Sequence, residues 1–251
     1  MTNNPLIAIV TGASRGIGRA TALLLAKHGY KICVNYHKNQ SAALEVVTSI
    51  KHAGGQAIAI QADISDEKQV VQLFEQVDNQ LGRITALVNN AGILFTQSSI
   101  EDLNAERINT VFKTNVTGTI LCCREAVKRM SHQHGGSGGS IVNLSSRAAV
   151  LGSAHEYIDY AASKGAIDSF TIGLAQEVAQ QCIRVNAVRP GVIDTEMHAD
   201  GGEPNRVYRL KTLIPLQRYG TTDDVAAAIY WLISEQSAYS TGTFIDVSGG
   251  R

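Results

Sequence analysis

Short runs of apolar residues, rich in valine and isoleucine, alternate along the chain with longer stretches in which apolar positions return every three or four residues. The runs are LIAIVT, KICVN, QAIAIQ, ALVNN, GSIVNLS, IRVNAVRP and GTFIDVS. Runs of that length read as strands buried on both faces, and the longer stretches as amphipathic helices. Seven strands separated by helical patterns require right-handed β-α-β crossovers, because parallel neighbours cannot be joined by tight hairpins. The expected fold is α/β: a doubly wound sheet of seven mostly parallel strands with helices on both faces. No linker, repeat or low-complexity tract divides the pattern, so residues 1–251 are expected to form one domain. The only long interruption, GVIDTEMHADGGEPNRVYRLKTL (191–213), follows the sixth strand. Turn-rich chain at the carboxyl end of a parallel strand is positioned to cover a ligand crevice, which makes this segment a candidate lid.

Composition narrows the partners more than the fold. The 251 residues are 44% hydrophobic and 18% charged, ordinary values for a globular chain. Their 22 basic and 22 acidic residues cancel, and no dense Lys/Arg run occurs, so neither nucleic acid nor a membrane is an expected partner. Small-molecule substrates and further copies of the chain remain. The opening MTNNP lacks the basic and apolar regions of a signal peptide, and LIAIV is too short to span a bilayer, which fits a cytoplasmic location. Cys33, Cys122, Cys123 and Cys182 show no metal-ligand spacing and fall in apolar periodic segments, so they are expected to be buried and free. The HQH at 132–134 sits in the polar stretch SHQHGGSGGS without a third ligand and reads as solvated loop. No metal site is expected.

The first strand runs straight into TGASRGIG (11–18) and then a helical pattern. In such a turn Gly12 permits the tight bend, Gly16 lets backbone approach a ligand and Gly18 allows close helix packing. The helix N-terminus then offers N–H donors to a pyrophosphate. Strand, glycine turn and helix in that order are the signature of a Rossmann domain. Asp63, in QADIS at the end of the third strand, is positioned to receive an adenine amino group, although it could equally cap the next helix, as could Ser65. The second strand runs out as ICVNYHKN, and the first acid after it is Glu45. NAD sites of this fold present a carboxylate there for the ribose 2′-hydroxyl, so its absence points to NADP(H), with NAD(H) also usable.

EYIDYAASKG (156–165) supplies the candidate chemistry. On one helix Tyr160 lies four residues before Lys164, a surface neighbour about 5–6 Å away at Cβ, whereas Tyr157 lies two turns off. An adjacent ammonium favours the phenolate, so Lys164 can tune Tyr160 but not easily Tyr157. By itself the pattern is also that of an amphipathic helix carrying two half-buried tyrosines and a solvated lysine.

TGASRGIG, NNAG (89–92), NVTG (115–118), NLSS (143–146), YAASK (160–164) and RPGVIDT (189–195) occur in that order, and together they resemble the short-chain dehydrogenase/reductase family over essentially the whole chain. The carrier-protein ketoacyl reductases and glucose dehydrogenases are the members it resembles most. The resemblance implies hydride transfer between NAD(P)(H) and a carbonyl or alcohol, and a homotetramer. It makes Tyr160 the acid-base group and Lys164 the cation that lowers its pKa and bonds the nicotinamide ribose. Ser146, through the spacing of SRAAVLG, becomes the carbonyl-binding serine, with the adjacent Ser145 a strand-end hydroxyl. Asn115 becomes the holder of a water linking the lysine to solvent. The cofactor set it implies comprises Gly12, Ser14, Arg15, Gly16, Ile17 and Gly18 of the turn, Asn35, His37 and Lys38 after the second strand, and Asp63 and Ile64. Asn89, Ala91 and Gly92 follow at the fourth strand, Tyr160 and Lys164 on the helix, and Pro190, Gly191, Ile193 and Thr195 after the sixth strand. Arg15 lies where relatives specific for NADP place a base, and His37 or Lys38 could approach the same phosphate; alternatively Arg15 and Lys38 are solvated surface charges. Asp194 reads as a turn former.

Two departures qualify the resemblance. Between Ser146 and Tyr160 there are 13 residues, one more than in many relatives, which bears on the loop rather than the chemistry. Gln181 stands where ketoacyl reductases tend to carry an arginine, and QHGGSGG lies near the same surface, so a small ketone, aldehyde or sugar is as good a substrate as a 3-oxoacyl thioester. A protein that only binds NADP as a regulator is the alternative from another class. Such proteins usually lose the acid-base pair, which is intact here. A sugar-nucleotide epimerase would need a substrate domain that this chain lacks.

Overall fold

The computed structural model describes residues 5–251; residues 1–4, most of the MTNNP stretch, lie outside it. All seven apolar runs form strands: β1 (Ile7–Val10), β2 (Lys31–Tyr36), β3 (Ala57–Gln61), β4 (Ala86–Asn89), β5 (Gly139–Leu144), β6 (Ile183–Pro190) and β7 (Phe244–Val247). They build one sheet in the order 3-2-1-4-5-6-7, with every pairing parallel. The order reverses between β1 and β4, and at such a switch point a crevice opens beyond the carboxyl ends of the strands.

The two-residue period of a strand sends alternate side chains to opposite faces, and each face has its own core. Ala8, Val10, Ile32, Val34, Val88 and Val142 point to one side. There they meet α1 (Gly16–Lys27), α2 (Gln40–His52) and α10 (Thr222–Ile233). Ile7, Ile9, Cys33, Leu87, Ile141 and Val185 point to the other. Against them pack α3 (Glu67–Gln80), α5 (Thr119–Met130) and α7 (Ile158–Val178). Strands buried on both faces explain why the runs read as continuously apolar.

Four local features differ from the sequence reading. The apolar pattern from about Leu103 to Met130, which read along the sequence is one long helix, is broken: α4 (Ala105–Phe112) passes through a π-helical turn, Lys113–Gly118, before α5. Tyr157 is not on the helix of Tyr160; it is the residue before α7, with φ −142° and ψ 54°. Asp66, rather than Ser65, caps α3 by accepting from the backbone N–H of Lys68 and Gln69. Cys182 is exposed, in a left-handed turn (φ 60°) that leads into β6, while the other three cysteines are buried; all four are free. The segment 191–213 carries α8 (Met197–Asp200), α9 (Arg206–Leu210) and one 3-10 turn. α6 (Ala148–Leu151) lies between β5 and α7. Among the described residues no helix is long and apolar enough to cross a membrane.

Candidate active site

At the β1 end the glycine turn is shaped for close approach. Gly12 and Gly16 have φ of +61° and +54°, a region that strains any residue with a Cβ. A Cβ on Gly18 would lie 2.5 Å from Asn90 Nδ2 and 2.6 Å from the Gly12 carbonyl, so only glycine lets α1 pack this tightly. The turn is laced from behind. Asn90 Nδ2 donates to the carbonyls of Thr11 (2.9 Å) and Gly12 (3.1 Å), and Thr11 Oγ1 accepts from the N–H groups of Asn90 and Ala91 at 3.0 Å. Asn35 is buried and its amide is used on backbone: Oδ1 accepts from Gly12 N–H (3.3 Å), and Nδ2 donates to the Ala62 carbonyl (3.1 Å). It supports the turn rather than facing the crevice. This cradle fits a dinucleotide: the first N–H groups of α1 are bounded by glycines, and no side chain of α1 caps them. Ser14 and Ile17 are half-buried within it.

Beyond β2, His37 and Lys38 are exposed. His37 Nε2 lies 3.7 Å from Asp63 Oδ2, and Asp63 Oδ1 accepts from Ser65 N–H at 2.9 Å, so Asp63 does form a local turn. Ile64 is buried, with its carbonyl against Gly118, where a Cβ would come within 2.8 Å. Arg15 pairs with Asp200 of segment 191–213.

The chemistry-bearing residues converge at the ends of β4, β5 and β6. Asn89 is buried and donates to Asn143 Oδ1 (2.9 Å), tying β4 to β5. Ala91 and Gly92 follow, and a Cβ on Gly92 would stand 3.6 Å from Lys164 Nζ and 3.4 Å from Asn115 Oδ1. Asn115 sits in the π turn with its side chain drawn out of the helix. Its amide bridges both backbone groups of Ile93, accepting at 2.8 Å and donating at 2.9 Å, and reaches Ser163 Oγ at 3.1 Å. Thr119 Oγ1 donates to the Asn115 carbonyl at 2.9 Å. An amide that replaces main-chain partners in this way accounts for the widened turn, a feature that recurs at functional sites.

The two serines after β5 separate cleanly. Ser145 Oγ is buried and donates to the Lys164 carbonyl (3.3 Å), whereas Ser146 stands beside the Tyr160 phenol and accepts from Ala148 N–H (3.1 Å). Lys164 is buried and its Nζ donates to the Leu144 carbonyl at 2.6 Å, 5.5 Å from the centre of the Tyr160 ring. Burial pushes the Tyr160 phenol up to about 12, opposed by the Ser146 hydrogen bond. Burial likewise pushes the Lys164 ammonium down to about 8, opposed by the Asp168 carboxylate one helical turn on. Burial is the largest cause of both shifts, raising the phenol and lowering the ammonium.

Ser146, Tyr160, Lys164, Gly92, Ile17, Pro190, Gly191, Ile193 and Thr195 line one cavity of about 510 Å³. Pro190 and Ile193 are buried, and a Cβ on Gly191 would strike the Cα of Ser248, just past the end of β7, at 2.8 Å. Segment 191–213 also lines the cavity, and its charged side chains, which the sequence reading did not single out, are tied to the neighbouring loops. Glu156 accepts from Arg206 Nη2 (2.5 Å) and Arg209 Nη2 (2.9 Å), and Glu203 accepts from Arg209 Nε (2.5 Å) and Gln97 Nε2 (2.7 Å). The Tyr157 hydroxyl donates to the Gly201 carbonyl at 3.2 Å, and the Arg206 guanidinium lies 5.0 Å over its ring. Asn90, Thr11 and most of this cluster have no short-range signal beyond residue type, because their partners are 44 to 106 positions away along the chain; the Glu203–Arg209 pair is local, six positions apart.

A glycine-bounded cradle, a phenol and ammonium in one cavity, and an all-parallel sheet define a dinucleotide-dependent oxidoreductase. The sequence profile of a family described as enoyl-(acyl carrier protein) reductase matches residues 12–251. An uncharacterised oxidoreductase of Escherichia coli (strain K12), YgfF, is 63% identical over 98% of this chain and 99% of its own. A 3-oxoacyl-[acyl-carrier-protein] reductase of Synechocystis is 40% identical over 97% of this chain and 96% of its own. Among solved structures, a short-chain dehydrogenase of Burkholderia cenocepacia J2315 in complex with NADP superposes with a TM-score of 0.89 at 34% identity, covering 98% of this chain and 99% of that one. The chain belongs to the short-chain dehydrogenase/reductase family, and is an NAD(P)-dependent oxidoreductase.

Proposed function

We propose that the protein is an NADP(H)-preferring reductase of small carbonyl compounds, with Tyr160, Ser146, Lys164 and Asn115 as its catalytic set. The observation that carries this reading is the meeting of Ser146, Tyr160 and Lys164 in one cavity with Thr195. The cofactor, when bound, supplies or accepts the hydride. Tyr160, a phenol held protonated at neutral pH, gives its proton to the carbonyl oxygen. Ser146 holds that oxygen with a neutral hydroxyl, a kind of stabilisation worth about 3 kcal/mol in comparable sites. Lys164, buried and anchored on the Leu144 carbonyl, orients the ribose and carries positive charge toward the phenol. Asn115 fixes the loop after β4 and keeps a water path to Lys164.

The cofactor preference rests on the missing carboxylate after β2 and on the bases Arg15, His37 and Lys38. The cavity's apolar side chains, among them Leu94, Leu151, Val192, Met197 and Leu213, favour an uncharged ketone or aldehyde. Of its charged residues, Arg206 and Arg209 are taken up in ion pairs with Glu156 and Glu203. We read residues 191–213 as a lid on one dinucleotide-binding domain. A homotetramer is supported by the exposed Ile108, Ile120 and Ile172 on α4, α5 and α7 and by the sheet-edge position of β7; light scattering would give a fourfold mass, and a monomer would refute it. The cofactor claim is tested by kcat/KM for NADPH and NADH with one ketone, in wild type and Arg15→Ala. NADPH is expected to be the better cofactor, and the variant to lose that advantage. Equal use of NADH by the wild type, or an unchanged ratio in the variant, would overturn the claim.

A further inference from the structure

Arg15 lies in the glycine turn, immediately before α1, and its guanidinium is taken by an acid of segment 191–213. Its one side-chain partner among the described residues is Asp200, at the end of α8 in the lid and 185 positions away along the chain. The lid also lies on the turn itself: a Cβ on Gly16 would stand 3.6 Å from both Glu196 Oε2 and Thr195 Cγ2. Asp200 has no other ion-pair partner among the described residues. Both members of the pair are half exposed, at 52% and 48%, so water and a better anion can reach them.

We infer that Asp200 is a specificity-determining residue that competes with the cofactor's 2′-phosphate for Arg15. This rests on the assignment of Arg15 to that phosphate. A guanidinium fork pairs well with either a carboxylate or a phosphate, and a dianionic phosphate is the stronger partner. Arg15 held by the lid is withdrawn from the phosphate end of the crevice, and the phosphate must displace Asp200 to take it. The ribose 2′-hydroxyl of an unphosphorylated cofactor has no charge with which to do so. Asp200 thus sets how far the protein favours the phosphorylated cofactor, and couples the choice to the hold of the lid on the glycine turn. Because the pair is exposed, the effect is modest: ion pairs of this kind account for about a two- to fivefold change in an equilibrium, and less in high salt.

The test is calorimetric titration of the full-length protein with 2′,5′-ADP and with 5′-AMP, which differ only in the 2′-phosphate. Asp200→Asn is expected to bind 2′,5′-ADP about two- to fivefold more tightly and 5′-AMP as the wild type does. In an Arg15→Ala background the same substitution should change neither. Asp200→Ser carries the same expectation if Asp200→Asn does not fold. Unchanged or weaker binding of 2′,5′-ADP by the Asp200 variant would overturn the inference. Equal tightening of both ligands, or tightening that persists without Arg15, would also overturn it, since each marks a general field effect. Arg15→Ala that keeps the wild-type preference for 2′,5′-ADP would instead remove Arg15 from the phosphate site, and with it the cofactor assignment beneath this inference.

Discussion

The glycine turn and the lid approach the same crevice from opposite sides and are held by different forces. The turn is fixed by neutral hydrogen bonds between Asn35, Asn90, Thr11 and the main chain, and by glycines that leave no room for a Cβ. The lid is held by charged pairs, Glu156 with Arg206 and Arg209, Glu203 with Arg209, and Asp200 with Arg15, in which Arg209 is half exposed. Buried neutral bonds are insensitive to salt and costly to break, whereas exposed ion pairs are worth little and are screened. The turn is therefore preformed, and on the other side the half-exposed contacts of Arg209 and of Asp200 with Arg15 can be rearranged at low cost around the largely buried Glu156–Arg206 pair and the cluster of Val192, Val207, Leu210 and Ile214. That division suits a protein that holds a fixed dinucleotide backbone on one side and admits and releases a substrate on the other.

The largest effect should come from filling the turn. In Gly18→Ala the new Cβ meets Asn90 Nδ2 at 2.5 Å and the Gly12 carbonyl at 2.6 Å, so the turn must open. Overpacking of that kind costs about 1–3 kcal/mol, and NADPH affinity by fluorescence titration should fall about tenfold to a hundredfold. Unchanged affinity would show that the turn is less rigid than its packing indicates.

Lys164 gives a pH signature that the lid cannot. Its folded pKa of about 8 lies below the ordinary lysine value of 10.5, so between those values the unfolded chain binds the extra proton. Stability contributed at this position therefore rises with pH from about 8 toward 10.5, and the cost of the buried charge is greatest below 8. Urea unfolding should show wild type gaining on Lys164→Met by up to about 2 kcal/mol between roughly pH 7.5 and 9.5. A gap that stays constant over that range would mean that Lys164 keeps its proton in the fold.

The smallest effect belongs to the lid. Glu156→Gln keeps an acceptor for the largely buried Arg206 and weakens the half-exposed contact to Arg209, at a cost of about 1 kcal/mol. We expect a rise of about fivefold or less in KM for the carbonyl substrate, disappearing in ~0.5 M salt, with little change in melting temperature. A large loss of stability would place the lid with the rigid part of the fold.

How much of this was legible in the sequence follows the range of the interactions. Strands and crossover helices are encoded by local periodicity, so the seven apolar runs appear as seven strands and the glycine turn lies at the sheet's reversal. The candidate site residues Ser146, Tyr160 and Lys164 come together in the cavity because their spacing is fixed by a strand end and one helix. Contacts over long separations were not legible. Asn35 reads as a ligand residue but is used on backbone, since only the folded sheet brings Gly12 and Ala62 to it. The π turn at Asn115 needs the backbone of Ile93, and the lid's ion pairs need Glu156. The opposed shifts of Tyr160 and Lys164 depend on burial, which spacing alone does not report.

The central claim is that Tyr160, and not its neighbour Tyr157, delivers the proton. Turnover and NADPH affinity measured side by side in Tyr160→Phe and Tyr157→Phe test it most directly. Tyr160→Phe should lose about 10²–10⁴ in kcat while binding NADPH nearly as the wild type does, because only the transferable proton is gone. Tyr157→Phe removes the bond to the Gly201 carbonyl and should cost far less. A Tyr160→Phe enzyme that kept more than about a tenth of wild-type kcat, or a Tyr157→Phe enzyme that lost as much, would contradict the account.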